Sequence, residues 1–211
     1  ARNGGKNSLN RLIRCVCGKK IGPDPRNFNQ RVSLGRNDLL IRTFPQSHVP
    51  GEPDMPTCFQ KDDEKAITRA IESLKSQLRE EHKRSGRAGE SAPLGYIWAR
   101  ERVTGEHPHY HLVLLFDREV YAYLGNYTKA DTDNMGVRIQ KAWCSAIGLD
   151  YPEYAYLPHF PKNNSIWFTR HDALTLSDDY YDFLLRVAYL SKDYSKDFYD
   201  GYRNFGTSQL M

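Results

Sequence analysis

Two histidines one residue apart, His109 and His111, open an apolar segment that runs to residue 116. Alternate side chains of a β-strand lie on opposite faces, so both imidazoles share one face while Tyr110 lies on the other. The residues that follow are apolar on both faces, which predicts a strand covered on both sides. Two imidazoles side by side at the start of such a strand are half of a divalent-metal site.

A carboxylate that completes this site is predicted from the preceding strand. Residues 96–100 are also strand-like, and residues 104–106 have the composition of a turn, so a hairpin would bring Glu101 beside the two histidines. Two histidines and one carboxylate with open coordination positions favour Mg²⁺ or Mn²⁺. Because a lone His-x-His pair is more often structural than metal-binding, the interpretation needs a second motif.

The second motif lies on a helix that the sequence predicts after Ser177, a favourable N-cap, with Asp178 and Asp179 complementing the helix dipole. One face of this helix is an apolar stripe, formed by Phe183, Val187, Leu190 and Tyr194.

Tyr189 is predicted to lie on a different face of that helix, which it shares with Arg186, Lys192 and Lys196. A phenol surrounded by cations is suited to attack a phosphodiester, because positive charge favours the phenolate and neutralises the phosphate. Tyr194 is the alternative nucleophile, although its place on the apolar stripe favours a core role.

Together the two motifs resemble those of the HUH endonucleases, single-strand nickases that start rolling-circle replication and plasmid transfer. Residues 109–111 are similar to the family's His-hydrophobe-His motif, and residues 189–192 to its Tyr-x-x-Lys motif. Glu101 stands where the viral Rep-type members have their third metal ligand. Residues 98–101 and 203–208 resemble the inovirus gene-II-type initiators, the YagK/YfjJ-like group, and the resemblance extends over about residues 36 to 210.

The resemblance implies a sequence-specific nickase with Glu101, His109 and His111 as metal ligands. Tyr189 would form a 5′-phosphotyrosine and Lys192 would stabilise the developing charge, with Lys196 or Arg186 in support. The partners implied are single-stranded or hairpin origin DNA and a host helicase. The setting implied is the cytoplasm of a bacterial cell that carries the encoding mobile element.

The order of helices and strands predicts an α+β fold with a central, mainly antiparallel sheet. Scaffold helices would pack on one face of this sheet and the helix that carries Tyr189 on the other. The family resemblance implies five strands in a palm-type, RRM-like arrangement. Residues 62–84 and 135–147 are predicted helices, the second closed by Gly148, and residues 154–156 and 165–169 are predicted strands.

Basic residues are concentrated in the first 36 residues, which contain nine Lys or Arg and one Asp. These 36 residues have a net charge of +8, and the formal net charge of the whole chain is +4, so the remaining residues have a net charge of −4. The pattern predicts a basic N-terminal arm, 1–36, before an endonuclease domain, 37–211. In this arm the proposed DNA contacts are Arg11, Arg14, Lys19 and Lys20. A solvated tail without a partner is the alternative.

Composition excludes several classes of protein. The sequence has no run of roughly 20 apolar residues that would predict a membrane-spanning helix. Its four cysteines lack paired zinc-finger spacing, so free thiols are expected, with soft metal ligation by Cys15 and Cys17 as the alternative. The Gly-rich phosphate loop of a nucleotide-hydrolysing helicase is absent from the sequence, so unwinding would depend on the host.

Three other functions are compatible with these motifs. A non-catalytic DNA-binding replication module would bind in a salt-sensitive manner without forming a covalent product. A metalloenzyme acting on a small molecule would be indifferent to Tyr189. A conjugative relaxase or a transposase of the same superfamily would share the chemistry and differ in its DNA substrate.

Overall fold

The computed structural model of the chain describes residues 38–43, 65–101, 108–161, 164–191, 196 and 199–208. For residues 38–43 and 109 it describes the backbone only. The basic arm, Lys192 and Tyr194 therefore lie outside the described residues.

Three strands form an open antiparallel sheet, with β3 (His109–Leu115) in the middle. It pairs with β1 (Asp38–Thr43) on one side and with β2 (Gly95–Glu101) on the other. Two short segments extend the edges, giving the order β4-β1-β3-β2-β5, where β4 is Pro158–His159 and β5 is Phe205–Thr207. The α+β class and the antiparallel sheet are confirmed. The palm-type arrangement of five strands stays a prediction, since the edge segments have only two and three residues.

Two helices cover the face of the sheet that carries Tyr110, Leu112 and Leu114. Helix α1 (Ala66–Arg84) buries six apolar residues along one face: Ala66, Ile67, Ala70, Ile71, Leu74 and Leu78. Helix α2 (Met135–Ile147) is capped at its N-terminus by Asn134, whose side chain accepts a hydrogen bond from the backbone N–H of Val137. Its C-terminal cap is Gly148, whose φ of 76° is the left-handed conformation that glycine adopts without strain. Both helices agree with the sequence prediction, apart from the later start of α1.

The opposite face of the sheet, with Ile97, Ala99 and Val113, is covered by α4 (Asp178–Tyr189). Ser177 caps this helix by accepting a hydrogen bond from the N–H of Tyr180. The apolar residues packed on the sheet are Tyr180, Phe183, Leu184, Val187 and Leu190. Burial of each such side chain contributes roughly 1.5–3 kcal/mol. The sheet is thus enclosed between two helical layers, and its middle strand is covered on both faces as predicted.

Two predicted strands are wrong. Residues 154–156 lie in a series of turns, in which Asp150 and Pro152 carbonyls accept the N–H groups of Tyr154 and Ala155. These local hydrogen bonds take the place of strand pairing. Side chains of residues 165–169 do alternate between core and surface, since Ile166 is buried in the second core and Phe168 packs against it. The segment is nevertheless not a strand, because only Trp167 pairs with another segment.

A short helix that the sequence did not predict, α3 (Arg170–Thr175), precedes α4. It starts with a reciprocal capping box between Thr169 and Asp172. The hydrogen bonds from Thr169 hold the pKa of the Asp172 carboxyl below its usual range.

The C-terminal segment is fastened to β2 by Arg100, which is buried. Its guanidinium forms an ion pair with Asp200 and lies 5.2 Å from the ring centre of Tyr202. Its backbone N–H donates to the carbonyl of Asn204 at 2.9 Å. Gly206 is necessary in β5, because a Cβ there would come within 2.4 Å of the Trp98 ring. These contacts hold residues 199–208 against the outer edge of β2.

Candidate active site

The site is built on the end of β2 and the start of β3, at the hairpin that the sequence predicted. In the register of these strands Glu101 lies opposite His109, and Ala99 lies opposite His111. Cross-strand partners share a face, so all four residues belong to the sheet face covered by α4. The predicted placement of Glu101 and the two histidine positions on one face is therefore present in the backbone.

Glu101 and His111 are in direct contact. The Oε2 atom of Glu101 lies 2.8 Å from Nε2 of His111, and the side chains are 2% and 3% exposed. The contact is diagonal across the two strands, since Glu101 is opposite His109. Ala99 makes this possible, because a methyl group opposite His111 leaves room for the imidazole to lean toward the carboxylate. The other ring partner of the predicted site, the His109 side chain, lies outside the described residues.

The second oxygen of the Glu101 carboxylate is also occupied. Nζ of Lys196 lies 2.9 Å from Oε1, and the Lys196 side chain is fully buried. A buried carboxylate without partners costs several kcal/mol, so the ammonium and the imidazole together make the burial of Glu101 tolerable. These three side chains form a buried polar cluster on the sheet face covered by α4.

Glu101 and His111 carry ligand atoms that a divalent cation accepts, whereas the ammonium of Lys196 does not. One carboxylate oxygen and one imidazole nitrogen are the ligand types that Mn²⁺ accepts. Two adjacent ligands of an octahedral ion with bonds near 2.1 Å are about 3 Å apart, close to the separation of these atoms. Among the described side chains, no group of three His, Cys, Asp or Glu residues is placed to hold a metal. The metal itself and the third ligand, His109, stay predictions.

Tyr189 is the last residue of α4, and its side chain is half-buried. Each residue turns an α-helix by about 100°, so Tyr189 is rotated about 200° from Val187, which faces the sheet. Tyr189 therefore starts from a different face of the helix than the buried stripe, and the role of its phenol stays a prediction. The same rotation directs the Cα–Cβ bond of Tyr189 away from the sheet face that carries Glu101 and His111.

The predicted face shared by Tyr189 and Lys196 does not form, because α4 ends at Tyr189. The N–H and the hydroxyl of Ser191 both donate to the carbonyl of Ala188, which closes the last turn. Lys196 is not helical and lies in the interior against Glu101. The expectation that Lys196 stands on an accessible face beside the phenol is wrong.

The remaining predicted contacts are placed as follows. Arg186 is half-buried in the last turn of α4, one helical turn before Tyr189. Lys192 and Tyr194 lie outside the described residues. So do the proposed DNA contacts in the basic arm, Arg11, Arg14, Lys19 and Lys20.

A cationic aromatic cluster that the sequence reading missed lies beyond the opposite end of β3. The guanidinium of Arg118 stacks 4.2 Å from the ring centre of Trp167, and Tyr123 lies 6.0 Å from the same ring. Tyr123 is 79% exposed, so one aromatic face is open to solvent. The sequence did hold a signal for the exposed indole. In an extended segment Ile166 and Phe168 share one side and Trp167 lies on the other, so the indole points away from the core that contains its neighbours.

Cys144 is a buried free thiol in α2. Burial raises the pKa of this thiol to about 12, which disfavours a reactive thiolate at neutral pH. Cys15, Cys17 and Cys58 lie outside the described residues.

No helix within the described part of the chain is long and apolar enough to cross a membrane. No solved structure matches the chain.

Two curated proteins of Escherichia coli strain K12 are similar to the chain. It is 35% identical to the uncharacterized protein YagK over 156 residues, which cover 72% of this chain and 74% of YagK. It is 31% identical to the uncharacterized protein YfjJ over 179 residues, which cover 82% of this chain and 85% of YfjJ. The sequence model of the YagK/YfjJ C-terminal domain family matches residues 13–208, and this range includes the hairpin with Glu101 and His111. The chain therefore belongs to the YagK/YfjJ C-terminal domain family.

Proposed function

We propose that this protein is a metal-dependent, sequence-specific single-strand DNA endonuclease that initiates rolling-circle replication. The observation that supports it most is the buried contact between Glu101 and His111 on the sheet face covered by α4. The sequence motifs predict a carboxylate on one strand beside a histidine on the next. In the structure Oε2 of Glu101 lies 2.8 Å from Nε2 of His111.

In this proposal Glu101, His109 and His111 hold one Mg²⁺ or Mn²⁺ ion. When bound, a divalent ion supplies positive charge to a non-bridging oxygen of the scissile phosphate. The protein contributes a buried setting for Glu101 and His111, whose side chains are 2% and 3% exposed, and burial strengthens local electrostatic interactions.

Tyr189 is the proposed nucleophile. The phenol gives up its proton to water and its oxygen forms a bond to phosphorus as the bond between phosphorus and the 3′-oxygen breaks; the departing 3′-oxygen takes up a proton from water. The products are a 5′-phosphotyrosine and a free 3′-hydroxyl. Lys192 and Arg186 would stabilise negative charge on the phosphate and the phenolate. The phosphotyrosine retains the energy of the phosphodiester, so attack by a 3′-hydroxyl religates a strand without ATP.

Tyr194 is the second candidate for the nucleophile. It precedes Lys196 by two residues in the sequence, and its place on the predicted apolar stripe favours a core role.

The DNA substrate would be held on two surfaces. The exposed ring of Tyr123 and the pair formed by Arg118 and Trp167 suit single-stranded DNA, whose bases stack on aromatic side chains and whose phosphates attract cations. The basic arm, with Arg11, Arg14, Lys19 and Lys20, would add affinity that does not depend on base sequence. A host helicase would unwind the duplex ahead of the new 3′ end.

The proposal is tested by cleavage of single-stranded oligonucleotides that tile the gene's own locus, with Mn²⁺ or with chelator. The expected result is a cut at one sequence, only with metal, that leaves a 3′ end extendable by a polymerase. Tight, salt-sensitive binding without cleavage in any oligonucleotide would favour the non-catalytic replication module. Cleavage at a transfer origin or a transposon end would favour a relaxase or a transposase.

A further inference from the structure

We infer that Lys196 is an internal counterion that occupies the Glu101 carboxylate until a divalent ion displaces it, so that Lys196 sets the metal affinity of the site. This inference rests on the proposed metal site and adds to it a competitor that belongs to the protein. In the structure Nζ of Lys196 lies 2.9 Å from Oε1 of Glu101, while His111 contacts Oε2. Both oxygens that a metal would use are thus already engaged.

Burial makes the competition strong. The side chains of Lys196 and Glu101 are 0% and 2% exposed, so water does not screen the charges. A divalent ion bound between Glu101 and His111 would stand within a few ångströms of the Lys196 ammonium, and the two positive charges would repel each other. Metal binding therefore requires Lys196 to leave the carboxylate.

The side chain of Lys196 is suited to leave. Lysine has a flexible four-carbon stem and a strongly hydrated ammonium, whereas arginine would form a more rigid, bidentate pair with a carboxylate. Lys196 belongs to neither a helix nor a strand, and its ammonium, which lies 5.1 Å from the ring centre of Phe205, would exchange this contact and the ion pair with Glu101 for hydration or a phosphate.

The displaced ammonium gives the site a way to link metal and DNA. Once it leaves Glu101 it is a cation close to the metal, where the phosphate of a bound strand would neutralise it. Metal and DNA would then bind cooperatively, and by linkage each would raise the affinity of the other by the same factor. Typical coupling between two sites is about 5- to 150-fold.

The test is Mn²⁺ binding measured by electron paramagnetic resonance on the full chain, with and without a single-stranded oligonucleotide. Lys196→Met removes the competing charge and should bind Mn²⁺ at least about 5-fold more tightly than wild type without DNA, and the affinity gain on adding DNA should disappear. Lys196→Gln keeps a hydrogen-bond donor for Oε1 of Glu101 and should also raise the affinity for Mn²⁺. This variant replaces Lys196→Met in the test if circular dichroism shows that the methionine variant does not fold.

Lys83→Met is the matched control. Lys83 makes a 2.8 Å ion pair with Glu80, but both side chains are largely exposed, so its loss should leave Mn²⁺ affinity unchanged. Equal or weaker Mn²⁺ binding by both Lys196 variants, with wild-type binding intact, would overturn the counterion role and leave the metal site standing. Absence of Mn²⁺ binding in every protein would instead overturn the metal site itself.

Discussion

The carboxylate of Glu101 and the imidazole of His111 lie 2.8 Å apart on neighbouring strands, inside the layer between the sheet and α4. Their positions follow from the antiparallel register of β2 and β3 and from the small side chain of Ala99. A buried acid beside a histidine is costly unless other groups satisfy it, and Lys196 supplies a second partner for the carboxylate. The proposed chemistry of the protein depends on this cluster.

The first prediction concerns the metal. His111→Ala removes one proposed ligand, so Mn²⁺ affinity should fall by at least about 100-fold, the upper end of the effect seen for residues that merely support metal ligands. Oligonucleotide cleavage should be lost with it. The control is His171→Ala, an exposed histidine in α3 that should leave both properties unchanged. Mn²⁺ binding by the His111 variant at the wild-type affinity would remove His111 from the site.

The second prediction concerns the buried ion pair between Arg100 and Asp200, called the clasp below. Asp200→Asn leaves the buried guanidinium without its charged partner, so the free energy of unfolding should fall by about 3 kcal/mol. Urea denaturation followed by circular dichroism measures this change. Glu72→Gln breaks the exposed ion pair with Lys75 and should cost less than about 1 kcal/mol. Equal effects of the two substitutions would show that the clasp adds little to stability.

The third prediction concerns the cationic aromatic cluster. Trp167→Ala should weaken binding of a single-stranded oligonucleotide by about 1–3 kcal/mol, because a stacking surface for one base and the support of Arg118 are lost. Fluorescence anisotropy at fixed salt measures the dissociation constant. Tyr156→Ala removes another exposed aromatic residue, whose ring contacts Tyr154 and not Trp167, and should have no effect. If both variants bind equally well, the cluster is not a DNA contact.

Local patterns were enough to predict the hairpin of the site. Alternation fixed the shared face of residues 109 and 111, and the turn composition between the strands placed Glu101 beside them, as the register shows. The helical periods of α1 and α2 and the left-handed Gly148 were also readable, since caps and apolar stripes depend on neighbours in sequence.

The role of Lys196 was not readable, because it depends on where the chain goes after α4. The apolar period continues past Tyr189, but two hydrogen bonds from Ser191 to one carbonyl end the helix. The contact between Lys196 and Glu101 then joins residues that are 95 positions apart. The cluster of Arg118 and Trp167 likewise joins distant segments, and no local period predicts such a contact.

The central claim is tyrosine-mediated cleavage, and one measurement tests it directly. Protein is incubated with the cleaved oligonucleotide and Mn²⁺, with a chelator control, and separated on a denaturing gel beside the Tyr189→Phe and Tyr194→Phe variants. The proposal predicts a metal-dependent protein–DNA band that resists SDS, disappears in Tyr189→Phe and persists in Tyr194→Phe. Loss of the band in Tyr194→Phe alone would move the nucleophile to Tyr194. The absence of any covalent band, in a wild-type protein that binds this DNA, would contradict the nickase.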